Sequence, residues 1–72
     1  MNTYQFSYET VDTEKTKTII ADSYKHAIEK ACLYLEDLND NLDLLGLDTW
    51  EDVQDECDLN EIYLSDLNEI EE

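Results

Sequence analysis

Residues 16–38, TKTIIADSYKHAIEKACLYLEDL, change their hydrophobic period in mid-course. Residues 16–21 (TKTIIA) are rich in β-branched side chains and read as a strand. Asp22 and Ser23 follow, both residue types that cap helix N-termini. From there Tyr24, Ala27, Ile28, Ala31, Leu35 and Leu38 recur at helical spacing, which predicts an amphipathic helix over 23–38. Ala27 and Ala31 leave room for the helix to approach a sheet closely. Cys32 and Tyr34 flank the inward stripe.

Upstream, residues 3–11 (TYQFSYETV) alternate. Tyr4, Phe6 and Tyr8 point one way while Gln5, Ser7 and Glu9 point the other, the pattern of a half-buried strand. Residues 12–15 (DTEK) are polar, so the two strands are expected to form an antiparallel hairpin. Downstream, residues 39–48 (NDNLDLLGLD) interrupt the helical period with the turn formers Asn39, Asn41 and Gly46. Leu42, Leu44, Leu45 and Leu47 are too apolar for a free linker and are expected to lie on the core. Asp48 or Thr49 then caps a shorter helix over 49–57, with Trp50, Val53 and Cys57 inward. Residues 59–70 fit two patterns. Leu59, Ile62, Tyr63, Leu67 and Ile70 suit a helix; Ile62 with Leu64, or Tyr63 with Ser65, suits a strand. A strand near 60–66 is expected, because a lone hairpin and one helix make a poor domain. Glu71 and Glu72 are expected to fray. The whole, residues 1–72, is read as one α+β domain: a small antiparallel sheet in the order β-β-α-short α-β, with one main amphipathic helix packed on it.

The charge is unusual. Twenty Asp and Glu stand against four Lys and no Arg, a formal net charge of −16. Residues 1–30 hold all four lysines against five acids, a net of −1, whereas residues 31–72 hold fifteen acids and no base. Such a field repels nucleic acid and anionic membranes and attracts basic surfaces. A magnitude of about 2–8 suffices to keep a small domain soluble, so the surplus asks for a use. Residues 1–15 are polar without a leader-like apolar run, and no stretch approaches the roughly 20 apolar residues of a membrane span. A cytoplasmic location with two free thiols, Cys32 and Cys57, is expected.

Few residues suit catalysis or metal binding. His26 is the single histidine, and no Ser or Cys stands in a nucleophile motif. Carboxylate pairs abound, but acid–base work needs a shielded pocket that drives two pKa values apart. A hydrolase of that kind would lose turnover on changing one acid. Asn39, Asn41 and Asp43 alternate like calcium ligands, but Leu44 occupies the position where such a loop needs glycine. No enzyme activity, cofactor or metal is therefore expected.

The acids themselves remain. On a helix, side chains at i and i+4 lie about 5–6 Å apart, so Glu51 with Asp55, and Asp52 with Glu56, form short carboxylate rows. Glu36 and Asp37, with Glu29, extend the charge along the first helix. Asp58, Glu61, Asp66 and Glu69 carry it through the C-terminal segment. Carboxylates accept the same Arg and Lys hydrogen bonds as phosphates. A rigid scaffold bearing such rows can fill a nucleic-acid groove, with Tyr63 or Trp50 as aromatic anchors. The competing expectation is a generic acidic interaction module or regulatory subunit that docks through an apolar surface at Leu42, Leu44, Leu45 and Leu47, and whose binding withstands salt.

With its short length, few strands and carboxylate-rich helix at Glu51, Asp52, Asp55 and Glu56, the chain resembles the small acidic inhibitors of phages and other mobile elements, among them DNA-mimic anti-CRISPR and anti-restriction proteins. IIADSYKHAIEKA (residues 19–31) is similar to the strand-into-helix passage of many small phage-encoded β-β-α proteins. The resemblance implies a stoichiometric inhibitor of a host defence nuclease. Its partner would be a basic nucleic-acid-binding protein, a Cas effector first and a restriction enzyme second.

Overall fold

The computed structural model describes residues 1–70, so Glu71 and Glu72 lie outside the described residues. β1 (Asn2–Glu9) and β2 (Glu14–Ala21) pair antiparallel, from Asn2 opposite Ala21 to Glu9 opposite Glu14. The turn between them is Thr10–Thr13, closed by the Thr10 N–H on the Thr13 carbonyl at 2.7 Å. Both strands thus depart slightly from the sequence reading. The first ends at Glu9, not Val11, and the second takes in Glu14 and Lys15. Val11 is left in solvent at the hairpin tip.

α1 (Tyr24–Leu38) follows after two residues. The Ser23 hydroxyl accepts from the His26 N–H at 3.2 Å and so caps the helix. Ala27, Ile28, Ala31, Cys32 and Leu35 are buried. Tyr24 and Leu38, expected to face inward, are instead 45% and 46% exposed. They occupy the first and last turns, where only one flank reaches the core; the Tyr24 ring meets Tyr4 edge-on at 5.9 Å.

The 39–49 segment is held by local bonds. Asn39 Oδ1 accepts from the Asn41 N–H at 2.9 Å, and Glu36 Oε2 accepts from the Leu44 N–H at 3.1 Å. Leu42 and Leu44 are buried and Leu47 is half-buried. Leu45 corrects the expectation that all four leucines pack. It is 84% exposed, because the turn through Gly46 (φ +87°) points it away from the core.

α2 (Trp50–Asp58) is capped by Thr49, whose hydroxyl accepts from the Asp52 N–H at 3.2 Å. Glu51 and Asp52 in its first turn complement the helix dipole. The exit is a Schellman motif. The Ile62 N–H bonds the Cys57 carbonyl at 2.9 Å, and the Glu61 N–H bonds the Asp58 carbonyl at 3.1 Å. Glu61 therefore takes the left-handed position usually filled by glycine, at φ +63°, while Ile62 turns into the core. Glu61→Gly relieves that backbone and is expected to stabilise the fold by roughly 0.5–1 kcal/mol. The thermal midpoint should rise by several degrees; a fall would show that Glu61 is held there by contacts worth more than the strain.

The expected single strand at 60–66 is replaced by two short ones. β3 (Tyr63–Leu64) and β4 (Asn68–Ile70) both pair antiparallel with β1, on the side away from β2. Leu64 lies opposite Tyr8 and Asn68 opposite Gln5. Three residues, Ser65, Asp66 and Leu67, thus span what two residues span on β1, which makes a bulge. The extra residue reverses the alternation, so that Leu67 is buried and Leu64 stays partly so. Ser65 fits the site chemically. Its hydroxyl accepts from the Ser7 N–H at 2.7 Å where a ladder carbonyl would otherwise stand. Its own carbonyl is then free to accept from Trp50 Nε1 at 2.8 Å and Gln54 Nε2 at 3.1 Å.

Both helices cover one face of the sheet. Tyr4, Phe6 and Tyr8 share that face, and they meet Tyr24 and Tyr34 of α1 and Trp50 of α2. The architecture is the expected α+β: a main amphipathic helix and a short one on a small antiparallel sheet, here four-stranded. The opposite face, with Gln5, Ser7, Thr16, Thr18 and Asn68, is open and, among the described residues of the strands, carries charge only at the hairpin end, on Glu9 and Glu14.

Candidate protein-binding surface

α1 lies along β2, and α2 lies along β3 at the opposite side of β1. The four lysines belong to β2 and α1, whereas α2 and its exit carry carboxylates alone. The charge asymmetry along the chain is therefore an asymmetry across the sheet. Two lysines are engaged inside their own half: Lys30 Nζ donates to the Ile20 carbonyl at 2.6 Å, and Lys17 Nζ stands 4.6 Å over the Tyr34 ring. Among the described residues no lysine forms an ion pair with a carboxylate; His26 Nδ1 stands 3.9 Å from Asp22 Oδ2. The acids of α2 face solvent without counter-charges.

Glu51, Asp52, Asp55, Asp58 and Glu61 are exposed, and Glu56 is half-buried beside Cys57. Tyr63, 54% exposed, borders a shallow depression of about 210 Å³ with Gln54, Asp55 and Asp58. On its other flank lie Glu9 and Glu14, since Tyr63 pairs with Glu9. Tyr63 is thus an open aromatic ring with carboxylates on both sides, a setting suited to a guanidinium or ammonium group. Glu9 and Glu14 were not among the sequence candidates. The alternation placed Glu9 on the outer face of the first strand and Glu14 in the turn, but only the β1–β3 pairing brings them to Tyr63.

Other candidates lie elsewhere. Glu36 is half-buried and spends one oxygen on the Leu44 N–H. It borders a different groove from the one at Tyr63, and Asp37 is exposed beside it on α1. Trp50 is 5% exposed, its ring 5.1 Å from Phe6, so it belongs to the core and cannot anchor a partner. The apolar docking set is also reduced: Leu42 and Leu44 are buried, which leaves Leu45 as its one fully exposed member.

Burial pushes the Cys32 thiol up to about 11, aided by Glu36 and Glu29, and the Cys57 thiol up to about 12, aided by Cys32 and Glu56. Both are protonated at neutral pH and supply no thiolate. Among the described residues no three His, Cys, Asp or Glu side chains gather as a metal site, and no helix is long and apolar enough to cross a membrane. In comparisons with known proteins, no family model, no curated protein and no solved structure matches the chain.

Proposed function

We propose that the chain is a stoichiometric inhibitor of a host defence nuclease, with a guide-loaded Cas effector as first choice, acting by nucleic-acid mimicry. The carboxylates of Glu51, Asp52, Asp55, Asp58 and Glu61 occupy phosphate positions in a basic groove, and Tyr63 stacks against an Arg or Lys side chain. The observation that carries this reading is the segregation of charge. Four of these carboxylates stand on a helix capped at both ends and Glu61 at its exit, free of ion pairs among the described residues and on the far side of β1 from every lysine. Rigid placement lowers the entropic cost of presenting them.

The test is capture from host lysate on the immobilised protein, with elution in a salt gradient. A captured nuclease released by salt and displaced by its own DNA or RNA is expected. Exchanging Glu51→Gln, Asp52→Asn, Asp55→Asn and Asp58→Asn together should weaken it by roughly 30- to 900-fold, at 0.5–1 kcal/mol per exposed contact. A partner without a nucleic-acid groove, held through high salt, would overturn the proposal. So would capture that the fourfold variant leaves intact.

A further inference from the structure

A groove of about 370 Å³ runs between α1 and the 42–48 loop, on a part of the molecule separate from the Tyr63 depression. Ile28, Cys32 and Leu44, all buried, and the half-buried Leu47 form its floor. Leu33 and Leu45 stand on its walls, 65% and 84% exposed. Its shape is set in advance. Glu36 ties the loop to the helix through the Leu44 N–H, the Leu47 N–H bonds the Leu44 carbonyl at 3.3 Å, and Gly46 makes the turn that lifts Leu45.

The border identifies the occupant. Glu29, Glu36 and Asp48 line the groove against the single base Lys25. A phosphate backbone or an anionic membrane meets carboxylates there and is repelled. A purely apolar segment fills the floor but leaves the three acids unanswered. A second copy of the chain brings twenty acids against four lysines, of which Lys30 and Lys17 are engaged within their own fold. A helix with one apolar face edged by Lys or Arg answers both the leucines and the acids. The volume is at the low end of the roughly 300–1,000 Å³ of ligand clefts, room for one or two large side chains rather than an enclosed small molecule.

We propose that this groove docks a basic amphipathic helix of a partner protein, with large aliphatic or aromatic side chains between Leu33 and Leu45 and cations on Glu29, Glu36 and Asp48. The site stands independently of the α2 face and of the mimicry reading.

The experiment uses the full chain and three fluorescein-labelled peptides of about 14 residues, four helical turns. One is a Leu/Lys amphipathic helix, one the same composition scrambled to remove the apolar face, and one a Leu/Glu counterpart. Fluorescence anisotropy is expected to show binding of the first alone. The double variant Leu33→Ser/Leu45→Ser should weaken it at least tenfold while the thermal midpoint stays within a degree or two, because both side chains are already in solvent. The α2 variant Glu51→Gln/Asp52→Asn/Asp55→Asn/Asp58→Asn should change affinity less than about threefold, the residue of long-range attraction. Equal binding of the scrambled peptide, or undiminished binding by the leucine variant, would overturn the proposal as non-specific charge attraction. Concentration-dependent dimerisation abolished by the leucine variant would overturn it in favour of a second copy.

Discussion

Trp50→Ala is expected to remove a large share of the stability that keeps the chain folded at 25 °C. The loss is about 3–5 kcal/mol, as for large aromatic residues truncated in a core. A domain of this length holds only about 4–11 kcal/mol in total. Three contacts concentrate at this side chain. The ring packs edge-on against Phe6 at 5.1 Å, and it is 5% exposed at the start of α2. Its Nε1 donates to the Ser65 carbonyl at 2.8 Å, inside the bulge that separates β3 from β4. Truncation opens a cavity between α2 and β1 and removes a tie between α2 and the third position of the sheet. Trp50→Phe keeps most of the packing and gives up the hydrogen bond. Gln54 Nε2 still serves that carbonyl at 3.1 Å, so a loss of only about 1–2 kcal/mol is expected. Urea titrations followed by far-UV circular dichroism distinguish the two. Equal losses for both variants would show that the hydrogen bond, not the ring volume, does the holding.

Alkaline solution is expected to unfold the protein through its thiols. Cys32 and Cys57 are pushed up by burial to about 11 and about 12, against about 8.5 for an exposed thiol. Below the unfolded value both states hold the proton, and the stabilisation is fully present. Above it the unfolded chain releases protons that the folded chain keeps. Stability then falls by up to about 1.4 kcal/mol per pH unit for each thiol, until the folded values are passed. Tyr24, raised by burial and by Asp66, and Tyr34, raised by its hydrogen bond to Tyr8, act in the same direction at higher pH. Urea midpoints measured in reductant should hold level from pH 7 to 8 and drop steeply from 9 to 11. In the double variant Cys32→Ala/Cys57→Ala the protein starts less stable, but the drop between pH 8.5 and 10 should largely vanish. An unchanged slope in that variant would remove the thiols as the cause.

Local order was the most legible feature. The alternation of Tyr4, Phe6 and Tyr8, the helical spacing of Ala27, Ile28, Ala31 and Leu35, and the caps at Ser23 and Thr49 depend on neighbours a few residues away. Periodicity reports such relations directly. The third position of the sheet was not legible in that way. Between Leu64 and Leu67 the period of two is broken by one extra residue, so the strand and helix templates each fit part of 59–70 and neither fits it throughout. Only the register against β1 says where the bulge must fall, and only there can the Ser65 hydroxyl replace its own carbonyl in the ladder. The ends of α1 show the same limit from another side. Tyr24 and Leu38 keep the apolar period, but exposure is decided by how far the sheet extends beneath them.

The candidate surface divides along the same line. That residues 31–72 carry fifteen acids and no base is a property of composition, and with it comes the repulsion of polyanions. The rows Glu51–Asp55 and Asp52–Glu56 follow from helical geometry alone. Tertiary structure decided which acids keep company. Strand pairing carried Glu9 and Glu14 across most of the chain's length to Tyr63, a hydrogen bond drew Glu36 away to the 42–48 loop, and burial took Trp50 out of reach of any partner. The sequence by itself determined the two-stranded start, both helices, the residue pairs that supply their caps and the sign of the field. Placing the lysines and the α2 carboxylates on opposite sides of β1 was left to topology, because the side on which a segment pairs depends on contacts that no local period records.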